Sequence, residues 1–96
     1  MLYKLFFIAL VLFGTIQYTQ STRHVEANGD ELWLERGILH REDGPALVKT
    51  DGTKEWWVNG ELHREDGPAI EWSNGTKEWY KNGERHRVDG PAIEWA

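Results

Sequence analysis

DGTKEWWVNGELHREDGPA, from Asp51 to Ala69, is followed by NGTKEWYKNGERHRVDGPA, from Asn74 to Ala92, and preceded by the looser NGDELWLERGILHREDGPA, from Asn28 to Ala46. His40, His63 and His86 open the same seven-residue block in each copy, which fixes the period at 23 residues. A repeat of this length is one supersecondary unit that stacks on its neighbours because it cannot bury an apolar face alone. The chain carries two full repeats, a divergent first half-copy and a last copy truncated at Ala96.

The punctuation inside the unit is that of β-hairpins. Asn59-Gly60 and Asn82-Gly83 are two-residue signals for type I′ turns, since Asn tolerates and Gly freely adopts positive φ. Asp51-Gly52 and Asn74-Gly75 predict a second such turn per repeat. Between the turns lie TKEWWV, TKEWYK and PAIEW, rich in the aromatic and β-branched residues that strands favour. No window has a helical period. The Asp-Gly-Pro steps that start at Asp43, Asp66 and Asp89 end any extended strand, because proline cannot donate to a ladder. A two-residue turn at Asn74-Gly75 sets Ile70 opposite Trp79 and Glu71 opposite Glu78; the equivalent turn sets Leu47 opposite Trp56. The like-charge pair belongs on a wet face, so the expected buried face is Leu47, Trp56, Ile70 and Trp79.

Working outward, residues 1–21 form a leader: Lys4 is followed by the apolar run Leu5 to Phe13 and a polar stretch ending at Ser21. That is the layout of a secretory signal peptide, with a cleavage site after Ser21. The 17 residues from Leu2 to Tyr18 are also just long enough to cross a bilayer as an uncleaved helical anchor. Residues 22–27 read as a linker and 28–96 as the repeat domain. Either fate of the leader places that domain in a cell envelope or outside the cell.

Composition removes several functions. The formal net charge is -5, and Lys4 is the only charge in the leader, so the remainder stands at -6. Nucleic acid is excluded as a partner, because phosphate binding needs a surplus of Lys and Arg. With no cysteine there is no disulfide framework, thiol nucleophile or CxxC metal site. Serine is scarce, no glycine-rich loop precedes a helix, and carboxylates are everywhere without a unique pair. The expectation is a non-enzymatic protein with no cofactor.

The period, the pattern Trp57-x-x-Gly60-x-x-His63 and the downstream Asn74-Gly75 resemble a MORN-type repeat. They resemble more closely the uncharacterised HREDGPA-containing repeat proteins of phages, large DNA viruses and bacteria. The resemblance covers Asn28 to Ala96. It departs from the standard MORN pattern where Arg64 stands in place of a Gly and where Gly-x-Gly becomes Asp-Gly-Pro. It implies an all-β, single-layer antiparallel stack of β-hairpin repeats behind an N-terminal hydrophobic helix, used for scaffolding, self-association or membrane-proximal attachment.

Within that frame Trp33, Trp56 and Trp79, His40, His63 and His86, Asp43, Asp66 and Asp89, Gly44, Gly67 and Gly90, and Pro45, Pro68 and Pro91 define the repeat. His with Asp three residues on is the one metal-like constellation. Its identity in every copy favours turn structure, with His beside the Trp strand and Asp capping backbone amides, over a metal site, for which no ligand is assigned. Arg41, Arg64 and Arg87, with Arg36 and Arg85, form a basic stripe neutralised by local acids. Asn74-Gly75-Thr76 is formally a glycosylation sequon but reads as a turn. Leu34, Trp57 and Tyr80 form the candidate interaction surface, for a protein partner or a second copy. The alternative is a cell-envelope glycan or choline-type ligand held by exposed aromatics through cation–π attraction.

Overall fold

The computed structural model describes residues 21–96, and all regular structure among them is β. Twelve short strands follow in order: β1 (Thr22–Val25), β2 (Glu31–Glu35), β3 (Ile38–Leu39), β4 (Leu47–Val48), β5 (Lys54–Glu55), β6 (Trp57–Val58), β7 (Glu61–Leu62), β8 (Ile70–Glu71), β9 (Lys77–Glu78), β10 (Tyr80–Lys81), β11 (Glu84–Arg85) and β12 (Ile93–Glu94). The main sheet runs β1-β2-β4-β5-β8-β9-β12, every neighbour antiparallel, with β3 also paired to β2. Beside it sit the hairpins β6-β7 and β10-β11. Backbone bonds join β3 to the first hairpin and the first hairpin to the second, from Gly60 N to Leu39 O (2.9 Å) and from Gly83 N to Leu62 O (2.9 Å). The result is a ribbon of successive antiparallel hairpins. The leader, with its expected helix and signal or anchor role, lies outside the described residues except for Ser21.

Two of the four expected type I′ turns form as read. Asn59 and Gly60 have φ of 52° and 79°, and Asn82 and Gly83 have 50° and 82°. A third occurs at Arg36-Gly37, with φ of 54° and 77°, where the chain lacks the usual Asn.

The other two turns correct the reading. At Asp51-Gly52 and Asn74-Gly75 only the glycine has positive φ, 97° and 96°. Lys49 N bonds Thr53 O and Gly52 N bonds Lys49 O; Trp72 N bonds Thr76 O and Gly75 N bonds Trp72 O. These are three-residue loops that end in a left-handed glycine. The cause is the side chain before the glycine: Asp51 Oδ1 accepts from Thr53 N at 2.8 Å and Asn74 Oδ1 from Thr76 N at 2.9 Å, which closes an Asx turn and holds Asp or Asn right-handed.

One extra loop residue slips the register by one, and a slip of one exchanges the faces. Ile70 lies opposite Glu78, Glu71 opposite Lys77, and Leu47 opposite Glu55. The expected Glu71–Glu78 clash does not arise. Leu47 and Ile70 share their face with Glu55 and Glu78, while Trp56 and Trp79 belong to the other one. Residues 22–27, read as a linker, instead contribute β1, whose four exposed residues carry no alternation to betray a strand.

The left-handed glycines give a direct test. A Cβ on Gly60 would meet Ile38 Cγ2 at 3.0 Å at a φ of 79°. Gly60→Ala is expected to destabilise the protein by about 1–2 kcal/mol, read as a lower urea midpoint with an unchanged slope.

Candidate functional site

One face is organised by the HRxDGP block. Arg41, Arg64 and Arg87 lie flat over Trp33, Trp56 and Trp79, guanidinium carbon to ring centroid 4.0, 3.8 and 3.8 Å. Each Nε donates to the aspartate two residues on, at 3.0, 3.3 and 3.2 Å to Asp43, Asp66 and Asp89. Each Nη1 donates to the carbonyl of Pro45, Pro68 or Pro91, at 3.1, 3.0 and 3.1 Å. Arg64 and Arg87 also reach Glu71 and Glu94. Gly44, Gly67 and Gly90 pass beneath the guanidinium so closely that a Cβ would sit 3.0 Å from it. The aspartates expected to cap backbone amides thus have a different partner: they hold the arginine that lids the indole.

The histidines join one repeat to the next. His40 Nδ1 accepts from Asn59 N at 3.0 Å, and His63 Nδ1 accepts from Asn82 N at 3.1 Å, so the proton of each ring is on Nε2. That Nε2 faces Glu42 (3.2 Å) in the first case and Glu65 (2.8 Å) in the second. A second staple spans 20 residues: Thr50 N donates to Asp30 Oδ1, Ser73 N to Thr53 Oγ1 and Ala96 N to Thr76 Oγ1. Among the described residues no group of three or more His, Asp or Glu side chains is placed to hold a metal ion.

The opposite face has a carboxylate floor. Glu55 and Glu78 are buried, and the rings around them supply their donors. Trp57 Nε1 donates to Glu55 at 2.8 Å; Trp72 Nε1 and the Tyr80 hydroxyl donate to Glu78 at 2.7 and 2.9 Å. Lys49, which stands where later repeats have Trp72 and Trp95, brings its ammonium within 3.6 Å of Glu55. The candidate residues Leu34, Trp57 and Tyr80 occupy equivalent places and are half-buried. Trp72 and Trp95 belong to the same face, 37% and 79% exposed. Asn74 of the sequon spends its Oδ1 on the Asx turn, and Thr76 is buried.

A groove of about 570 Å³ separates successive HRxDGP loops, lined among others by Arg64, Glu65, Trp79, Lys81, Arg87 and Val88. Both charges are represented there. Lys81 Nζ sits 3.2 Å from Glu65, and this bond, followed by that of His63, holds the Glu65 carboxyl below its ordinary value.

No family model matches this chain, and neither a curated protein nor a solved structure does.

Two predictions follow from this geometry. Arg64→Ala is expected to cost about 2 kcal/mol through the lost stack and hydrogen bonds. Gly67→Ala is expected to destabilise the native chain but to cost nothing extra once Arg64 is alanine, a coupling that a double-mutant cycle in urea measures directly. For pH, the Asp51 carboxyl is held below its ordinary range, first by the Thr53 backbone N–H and then by the Thr53 side chain. A depressed folded value gives stability that is fully present above the ordinary carboxylate range and is lost as pH falls through the folded value. Asp51→Asn retains the turn acceptor, as Asn74 shows, and is expected to flatten the acid limb of the stability curve; an unchanged limb would exclude this role.

Proposed function

We propose that this chain is a non-enzymatic, exported or membrane-tethered repeat module, a single-layer MORN-like stack of hairpins that works by binding a protein partner or a second copy of itself. The observation that carries the reading is how little apolar surface the ribbon encloses. Among the described residues Ala46, Ala69 and Ile70 are the buried apolar ones, while Trp72, Trp95, Val25, Ile38 and Val88 stand exposed. Small folds with so little enclosed apolar area gain from covering it against another chain. The apolar leader supports placement in a cell envelope, with the repeat domain presented beyond the membrane.

A second reading is favoured by the floor under Trp57 and Tyr80. Their polar atoms are held by buried carboxylates, which fixes the rings as a rigid platform suited to a glycan or a quaternary ammonium group.

Fractionation of cells expressing the full chain, with mass spectrometry of its N-terminus and light scattering of the detergent-extracted material, tests the first reading. Export or membrane association together with a stable assembly is expected; a cytosolic monomer would overturn it. The double variant Trp57→Ala, Tyr80→Ala separates the two. Retention on cell-wall material lost while assembly persists supports the ligand platform.

A further inference from the structure

The two sides of a repeat junction are stapled by different chemistry. On the main-sheet side the acceptor is a hydroxyl: Ser73 N donates to Thr53 Oγ1 at 3.2 Å. On the hairpin side it is an imidazole: Asn59 N donates to His40 Nδ1 and Asn82 N to His63 Nδ1, at 3.0 and 3.1 Å. A hydroxyl accepts at any ordinary pH. An imidazole nitrogen accepts only while it carries no proton, and imidazole is the side chain whose ordinary charge change falls between about pH 5 and 8.

The far edge of each ring faces acid. His40 is 7% exposed, and its Nε2 lies 3.4 Å from Glu35, on β2, and 3.2 Å from Glu42, in its own loop. His63 Nε2 lies 2.8 Å from Glu65, whose other oxygen takes the ammonium of Lys81, on β10, at 3.2 Å; Val58 stands in the place of Glu35. The Lys81 bond, then that of His63, holds the Glu65 carboxyl below its ordinary value, so this acid is charged wherever an imidazole gains a proton. The turns that supply the amides, Asn59-Gly60 and Asn82-Gly83, are neutral. Each ring is thus held between an amide that needs it neutral and carboxylates that favour it charged.

We propose that His40 and His63 form a pH-operated release, which on taking up a proton lets go of the next repeat's amide and frees the hairpin side of each junction while the main sheet stays joined. Protonation turns Nδ1 from acceptor into donor, so two N–H groups then face each other where a hydrogen bond of 3.0 or 3.1 Å stood. The charged ring keeps its acids and turns away from the amide, a local charge change that loosens one element against its neighbour. Backbone bonds then hold the hairpin side: Gly60 N to Leu39 O and Arg41 N to Trp57 O at 2.9 and 3.0 Å, and Gly83 N to Leu62 O and Arg64 N to Tyr80 O at 2.9 and 3.3 Å. The loosened hairpins carry Trp57 and Tyr80, so acidification changes how the candidate interaction residues are presented. The release is built into the fold and does not depend on whether those residues meet a protein, a second copy or a glycan.

Amide hydrogen exchange on the full, isotope-labelled 96-residue chain in detergent, corrected for the intrinsic pH dependence of exchange, reads the release directly. Between about pH 8 and pH 5 the protection of the Asn59 and Asn82 amides is expected to fall about tenfold, in keeping with the loss of one hydrogen bond, while that of Ser73 holds. Imaging the same interval through the imidazole nitrogen shifts, both rings are expected to pass from the Nε2-protonated tautomer to the doubly protonated form. Protection lost equally at Ser73 would mean general loosening and would overturn the proposal. Rings that stay neutral throughout would overturn it too, as would Asn59 and Asn82 amides that keep their protection while the rings titrate. His40→Asn and His63→Asn place a side-chain oxygen at the depth of Nδ1 that gains no proton in this range, and each is expected to keep its amide protected at both pH values. A fall that survives in these variants would refute the assignment to histidine. Should circular dichroism show that the buried His40→Asn unfolds, the more exposed His63→Asn decides the question at the second junction. None of these readouts involves export or assembly, so the module reading stands or falls separately.

Discussion

Stacking a guanidinium on an indole is the interaction from which the rest of the repeat follows. Once Arg41, Arg64 or Arg87 is laid on its tryptophan, the neighbours are constrained in turn. An acid is wanted at the Nε edge, a carbonyl at Nη1, and a residue without a side chain beneath the plane; Asp, Pro and Gly meet those demands in order. Arginine suits this place because its planar fork stacks and donates at fixed angles together, which an ammonium cannot do. The block HRxDGP is therefore one side-chain clasp written as a sequence.

The clasp organises a repeat, and the histidine and threonine staples couple repeats. Each junction of the ribbon is crossed by backbone bonds and by side-chain acceptors reaching an amide 19 or 20 residues away. Among the described residues the buried polar side chains His40, Thr53, Glu55, Thr76 and Glu78 outnumber the buried apolar ones, and no buried side-chain polar atom lacks a partner. A thin sheet held in this way depends on satisfied networks more than on enclosed hydrocarbon, and such networks fix geometry closely because each broken bond strands a polar group. Stability then accrues through neighbour coupling along the array, which is the behaviour of quasi-one-dimensional repeats.

Much of this was legible in the sequence, and the failures have identifiable causes. Period, strand content and the two Asn-Gly turns at 59–60 and 82–83 are set by local preference and could be read directly. Register could not, because Asp-Gly and Asn-Gly suit both a two-residue I′ turn and a three-residue loop closed by the side chain of the first residue. The choice lies with Thr53 and Thr76, whose amides donate to that side chain and whose hydroxyls accept from the next repeat. Missing this displaced Trp56 and Trp79 from the face of the arginines to that of Leu47 and Ile70. The arginines read as a charge stripe neutralised by nearby acids, and those pairs form; what the stripe does not reveal is the stack on tryptophan. Their position four residues before a proline carbonyl and eight after a tryptophan was the available signal for a stack.

The carboxylate floor shows how the repeat uses a position for which no single residue type is required by the fold. Leu32 fills it in the first copy, opposite Leu47, and there the pairing is purely apolar. Glu55 and Glu78 fill it later, and with them come Trp57, Trp72 and Tyr80, whose N–H and O–H groups supply what a buried carboxylate needs. A buried acid paired with polar aromatics adds little net stability over leucine, since its desolvation offsets its bonds. What it does add is orientation: each ring is held by its polar atom, so a platform that would otherwise rotate freely is fixed at one angle. Aromatic surface held rigidly loses little freedom when a partner covers it, and this lowers the cost of association on that face.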